Sequence, residues 1–360
     1  MTTKVVVVGG GYGGIVAARG LDDIADVTLV EPRETFLHHT AHLRAVADPA
    51  WAEKIFIPYD GLLSRGRVVR DAAARVDPGL VELVSGARLE ADYVVLATGS
   101  AGPFPTRLEG TGRDAGARQL RDLHEALGRA SAVLLLGAGA IGLEFAGEIA
   151  AFWPGKPVTL VDPAPELLSG LFPGEVTAEL ERQLAGLGVR VLLGTKVDSR
   201  PDTPAGTVSP FEVTTADGDR IAADLWFACY GGTVPSNYLG AGLAAARQPG
   251  GRLAVDEHLR VAGHDRVFAV GDLNDTPELK TGRAADRQGE VVAGNIRALI
   301  GGGPLTAYEP FPPGMILSLG PRGGVGYAPE FGLMGAEATA EFKSDFLLDH
   351  FRAKLGAQAA

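Results

Sequence analysis

Residues 4–14 read Lys4-Val5-Val6-Val7-Val8-Gly9-Gly10-Gly11-Tyr12-Gly13-Gly14. A run of β-branched apolar residues of this kind belongs to a strand buried on both faces of a parallel sheet. The glycines that follow match the spacing Gly-x-Gly-x-x-Gly at Gly9, Gly11 and Gly14. In that spacing the first glycine permits a tight turn and the second lets the backbone approach a pyrophosphate. The third lets the next helix pack closely on the strand. Residues 15–21 predict that helix, whose N-terminal N–H groups and dipole favour anions. Residues 27–30 predict the next strand, ending at Glu31, 22 residues after Gly9. A carboxylate at that distance accepts hydrogen bonds from ribose hydroxyls.

The pattern recurs. Residues 132–136 predict a strand, Gly137, Gly139 and Gly142 a second turn, residues 143–152 a helix, and residues 158–161 a strand ending at Asp162. The first glycines of the two copies lie 128 residues apart, which suits two separate nucleotide-binding modules better than a short repeat. Two complete fingerprints predict two dinucleotides, one per module. A carboxylate at Asp162 binds a ribose 2′-hydroxyl and repels a 2′-phosphate, so it predicts NADH over NADPH. The other reading of Asp162 is a side chain that faces solvent.

Residues 67–98 look β-rich, with a turn at Asp77-Pro78-Gly79 and a buried strand over 93–97 that closes at Thr98-Gly99-Ser100. A second ribbon is predicted over 207–215 and 220–225, about Asp217-Gly218. Residues 226–230 predict a strand, 252–261 an extended stretch, 267–270 a strand that stops at Gly271-Asp272, and 290–300 a helix. Asp272 then stands at a strand's C-terminal edge, where open α/β sheets bind ligands, or else caps a helix. The expected class is α/β, with two Rossmann-like dinucleotide-binding domains and a small C-terminal α+β region. Residues 1–112 and 249–303 are expected to form the first domain, 113–248 the second and 304–360 the C-terminal region.

Composition narrows the function. Lys plus Arg number 33 against 44 Asp plus Glu, a net charge of −11, which disfavours a nucleic-acid partner. Cys229 is the one cysteine, so a disulfide framework, a Cys-x-x-Cys pair and a cysteine-rich zinc site are excluded. It lies on an apolar strand and is expected to be an inert core thiol. The seven histidines show no metal-ligand spacing, and no metal is predicted. The apolar run 5–8 is too short for a signal peptide. Glu144 and Glu148 interrupt the apolar stretch 132–151, so it reads as a strand and helix, not a membrane span. A cytoplasmic protein is expected, with membrane contact no more than peripheral. Leu347, Leu348, Phe351 and Leu355 fall at helical spacing, as for a helix docked on the body or, alternatively, resting on a membrane surface.

Residues 5–14, 94–100, 133–144 and 267–275 together resemble the flavoproteins of the pyridine nucleotide–disulfide oxidoreductase superfamily. Phe36-Leu37-His38-His39, Leu43-Arg44-Ala45, residues 97–105 (Ala-Thr-Gly-Ser-Ala-Gly-Pro-Phe-Pro) and residues 255–264 resemble its ferroptosis suppressor branch. The resemblance implies FAD in the first domain, at Gly9, Gly11, Gly14, Glu31, Thr98, Gly99 and Asp272. It implies NAD(P)H in the second, at Gly137, Gly139, Gly142 and Asp162. It also places Glu278, Lys280 and Gln288 along the flavin and acceptor site. Electrons are implied to pass from NADH through the flavin to a quinone.

Three side chains are candidates for catalysis. Glu144 faces the nicotinamide, or only occupies a first helical turn where the dipole favours an acid. Lys280 stabilises negative charge on reduced flavin or quinone, or is merely solvated. His39, beside His38, touches the flavin or donates a proton to the quinol, or is a structural histidine. Residues 34–40 hold no cysteine where the superfamily's disulfide reductases carry their redox pair, which excludes disulfide reduction by that route. The alternative functions are an NADH-dependent reductase of a small iron–sulfur protein and an NADH-sensing interaction protein. A homodimer is compatible with all three.

Overall fold

A computed structural model describes residues 2–103 and 107–357; Phe104 and Pro105 of the branch-like segment lie outside the described residues. Lys4–Val8 pairs in parallel with Asp26–Val30 on one side and Tyr93–Leu96 on the other, with Val5 opposite both Val27 and Tyr93. Arg67–Val69 and Val267–Ala269 complete a five-stranded parallel sheet. Alternation along the central strand explains its unbroken valines. Val5 and Val7 face the helices Tyr12–Arg19 and Gly282–Gly301, while Val6 and Val8 face a ribbon of Ala73–Asp77, Leu80–Leu83 and Arg88–Glu90. The two helices pack backbone to backbone: a Cβ on Gly289 would stand 2.5 Å from the Gly13 carbonyl oxygen.

The second sheet is built alike. Val189–Leu193, Val158–Asp162, Val133–Leu136 and Leu225–Ala228 lie parallel in that order. Val133 and Leu135 pack on the helix Ala140–Phe152, and Leu134 and Leu136 on the hairpin Phe211–Thr214/Arg220–Ala223. The α/β class with two Rossmann-like sheets is as expected. The C-terminal region is α+β: an antiparallel sheet of Met315–Ser318, Gly324–Ala328 and Gly332–Met334, then helices Ala336–Phe342 and Leu348–Lys354.

The final helix docks on the first module. Leu348, Phe351 and Leu355 are buried there, whereas Leu347, with φ +60°, turns outward and is 43% exposed. Among the described residues, no helix is long and apolar enough to cross a membrane.

Three local expectations differ from the structure. Residues 238–246, assigned by sequence to the second domain, already pack on the first. Val76 N–H donates to the Tyr238 carbonyl, Gly240 N–H to the Val76 carbonyl, and Leu243 and Ala246 are buried beside Val76. Residues 252–261 are extended only at their two ends, where Leu253, Val255, Arg260 and Val261 form isolated β-bridges, because Asp256 Oδ1 accepts from the backbone of His258 and Arg260 and folds the middle into a turn. The helix expected from residue 290 begins at Gly282, where Thr281 caps it by accepting from Ala284 N–H. Its first turn carries too little apolar side chain to register as a periodic stripe.

Candidate functional site

The two glycine turns have one geometry. Gly9 has φ +105°, and a Cβ there would stand 2.4 Å from the Ala97 carbonyl oxygen. A Cβ on Gly14 would stand 1.9 Å from the Gly9 carbonyl oxygen. Gly11 is different: its backbone is extended, with φ −77°, and a Cβ would meet nothing within 4 Å. The fold therefore demands glycine at 9 and 14, while at 11 only a ligand in the open space could demand it. In the second turn Gly137 has φ +112°, a Cβ on Gly142 would stand 1.9 Å from the Gly137 carbonyl oxygen, and Gly139 again faces open space. Neither following helix, Tyr12–Arg19 or Ala140–Phe152, has a capping side chain. Two uncapped helix N-termini, each with an open backbone approach, fit two diphosphates.

The paired carboxylates match as well. Glu31 accepts from Gly10 N–H at 2.6 Å and Arg33 N–H at 2.8 Å. Asp162 accepts from Ala138 N–H at 2.6 Å and Ala164 N–H at 2.7 Å. Each is oriented against its own turn. Burial raises the pKa of Glu31, against the pull of its backbone donors.

A cleft of about 990 Å³ starts at the first turn and ends against the second module. Gly9, Gly11, Glu31, Thr98, Gly99 and Asp272 line its first part. His39, Lys280 and Glu144 line it too, so one cleft gathers the three candidate catalytic side chains. Gly14 and Gln288 stand behind the wall, and Gly137, Gly139, Gly142 and Asp162 lie outside this cleft.

Fully buried, Gln288 accepts from Gly271 N–H and Asn274 Nδ2, both at 2.7 Å, and thereby holds the turn that carries Asp272. The Ser100 hydroxyl donates to Asp272. Lys280 Nζ is tied within its own loop, donating to Asn274 Oδ1 at 3.0 Å and to the Thr276 carbonyl and hydroxyl, each at 2.9 Å. Burial lowers its pKa.

The adjacent histidines separate. Completely buried, His38 donates from Nε2 to the Phe346 carbonyl at 2.9 Å, and its Nδ1 accepts from the Tyr12 hydroxyl at 3.2 Å. A carbonyl only accepts, so this assigns the neutral tautomer. Partly buried His39 faces the cleft, and its buried Nδ1 has no partner among the described residues. Burial, then the Arg107 charge, hold its pKa well below the usual value.

Burial lowers the His38 pKa from 6.5 to about 4. The unfolded chain thus takes up a proton there before the folded chain does. The resulting stabilisation is complete above about pH 6.5, is lost as pH falls towards 4, and amounts to about 3 kcal/mol. Urea melts between pH 7 and 4.5 are expected to show a shallower loss in His38→Gln, which keeps a donor for Phe346. Equal slopes in the two proteins would exclude His38 as the acid-sensitive group.

Glu144 meets the C-terminal region. Its Oε1 accepts from Lys343 Nζ at 2.8 Å, Ser318 N–H at 3.2 Å and Ser318 Oγ at 3.3 Å. One helical turn on, Glu148 Oε2 accepts from Arg44 Nε at 2.7 Å and Oε1 from Arg44 Nη2 at 2.9 Å. The helix Ala140–Phe152 is thereby tied to both the C-terminal region and the first module.

Sequence reasoning missed Tyr59, whose hydroxyl donates to the Gly10 carbonyl at 2.8 Å, Tyr238, whose hydroxyl pairs with Thr98 Oγ1 at 2.9 Å, and Arg107. None sits in a recognisable motif. Cys229 is buried at the far end of the cleft, and burial pushes its thiol up to about 12, so it stays protonated at neutral pH. Among the described residues, no group of three or more His, Cys, Asp or Glu could hold a metal ion.

The family description "Pyridine nucleotide-disulphide oxidoreductase" matches residues 3–289. The chain belongs to this family. It is an NAD(P)H-dependent flavoprotein oxidoreductase, as the family and the two fitting cradles require. It is 31% identical to apoptosis-inducing factor homolog A of Dictyostelium discoideum, over 89% of this chain and 84% of that one. It is also 31% identical to human ferroptosis suppressor protein 1, over 91% of this chain and 89% of that one. Among solved structures, the sulfide:quinone oxidoreductase of Aquifex aeolicus superposes with a TM-score of 0.79 at 19% identity, covering 99% and 92% of the two chains. That likeness concerns the fold alone.

Proposed function

We propose that this oxidoreductase takes electrons from NADH, through bound FAD, to a quinone-type acceptor. The observation that carries the reading is the continuous cleft from the Gly9–Gly14 turn to Glu144, at the start of the second module's helix. FAD, when bound, supplies the two-electron chemistry, taking hydride from the nicotinamide and giving electrons to the acceptor. The chain supplies binding and orientation. The backbone at Gly11 and the helix behind it hold the FAD diphosphate, and Glu31 holds the adenosine ribose. Gly139 and Asp162 do the same for NADH. Glu144, fixed by Lys343 and Ser318, positions the nicotinamide end. Lys280 provides a cation whose position is set by three acceptors. His39 lines the cleft and is held neutral by burial and by the Arg107 charge. Residues 34–40 hold no cysteine and the Cys229 thiol stays protonated, so a thiol relay is not available and the acceptor must meet the flavin directly.

Anaerobic stopped-flow tests the reading. Mixing with NADH should bleach the flavin band, and a soluble quinone analogue should restore it. Bleaching with recovery only by an oxidised iron–sulfur protein, which takes the flavin's electrons, would replace the quinone; no flavin band would remove FAD. In the same instrument Asp162→Ala should narrow the preference for NADH over NADPH roughly tenfold or more, through loss of about 1.4 kcal/mol of discrimination. An unchanged ratio would take Asp162 out of the ribose site.

A further inference from the structure

We propose that Arg107 binds an anionic group of the FAD, as a third anchor beyond the first glycine turn and Glu31. This rests on the FAD reading above. Arg107 lines the cleft and is partly buried. A guanidinium offers five donors, yet among the described residues Arg107 makes one hydrogen bond, from Nη2 to Ser100 Oγ at 3.3 Å. No carboxylate of the described residues stands within ion-pair distance of it. Asp272 already accepts from Ser100 and reaches Arg107 only as a longer-range attraction.

Burial pulls the arginine pKa below its ordinary range, so the position is costly for a cation. The charge is felt by two neighbouring groups of the first module: Tyr12, the first residue of the helix after Gly11, and His39. A partly buried, under-bonded guanidinium in the neighbourhood of Asp272, Tyr12 and His39 is completed by an anion placed in the cleft. The flavin nucleotide carries two such groups: its diphosphate, and the ring once reduced. Either matches the planar fork of an arginine.

The test uses the full-length protein stripped of FAD and titrated with FAD by fluorescence quenching, as wild type, Arg107→Lys and Arg107→Gln. Midpoint potentials are then measured on the reloaded proteins, and ADP binding on the stripped ones. If the diphosphate is held, Arg107→Gln weakens FAD and ADP about tenfold, Arg107→Lys less, and the potential stays put. If the reduced ring is held, oxidised FAD binds as before, reduced FAD about tenfold more weakly, and the potential falls by about 30 mV. Unchanged affinity and potential, with a lowered melting point of the stripped protein, would assign Arg107 to balancing Asp272 and overturn the proposal. Failure of the stripped wild type to take up FAD would instead overturn the FAD reading, and this proposal with it.

Discussion

Gly11→Val is expected to give a folded, colourless protein. The backbone at Gly11 is extended and open to any residue, and the added side chain meets no protein atom within 4 Å of its Cβ. Its methyl groups instead enter the space through which a diphosphate reaches the helix N-terminus. We expect the melting point of the stripped protein to hold while FAD affinity drops at least about 100-fold, a loss of about 2.7 kcal/mol. Gly14→Val is the contrast: its Cβ would be driven to 1.9 Å from the Gly9 carbonyl oxygen, so the module itself should fail. A Gly11→Val protein that is purified yellow would show that the diphosphate does not approach there.

Arg44→Ala is expected to have the largest effect on stability among side chains outside the core. Arg44 is 7% and Glu148 1% exposed, and their bonds are bidentate. Removing one partner leaves a charge buried and unpaired, which costs about 3–5 kcal/mol. At roughly 2 cal/mol/K per residue of unfolding entropy, that is a fall of about 4–7 °C in Tm for 360 residues. The arginine also stacks on Phe346, with 5.1 Å from Cζ to the ring centroid, so the C-terminal segment should loosen as well. The double variant Arg44→Met/Glu148→Leu should recover most of the loss, because two apolar side chains leave no charge behind. A double variant as unstable as Arg44→Ala would instead attribute the effect to lost packing.

Much of the fold was written locally. A buried parallel strand requires apolar residues on both faces, so Val5–Val8 and Val133–Leu136 were legible from four residues each. The glycines at 9, 14, 137 and 142 were legible because backbone dihedral angles and a helix's approach to a strand depend on neighbours a few positions away. Glu31 and Asp162 followed from the lengths of the helices before them. Gln288 was singled out, but its work of holding the Gly271–Asn274 turn from behind was not visible in its neighbours.

What the sequence alone determined about this protein is therefore the pair of nucleotide cradles and the absence of a cysteine relay. Only the tertiary structure decided which side chains meet between them. Glu144 and Lys343 are 199 positions apart, His38 and Phe346 308, and Arg44 and Glu148 104. Such contacts carry no period and no spacing. Each exists because elements far apart in sequence bring a donor and an acceptor into one largely buried space, where each is costly without the other.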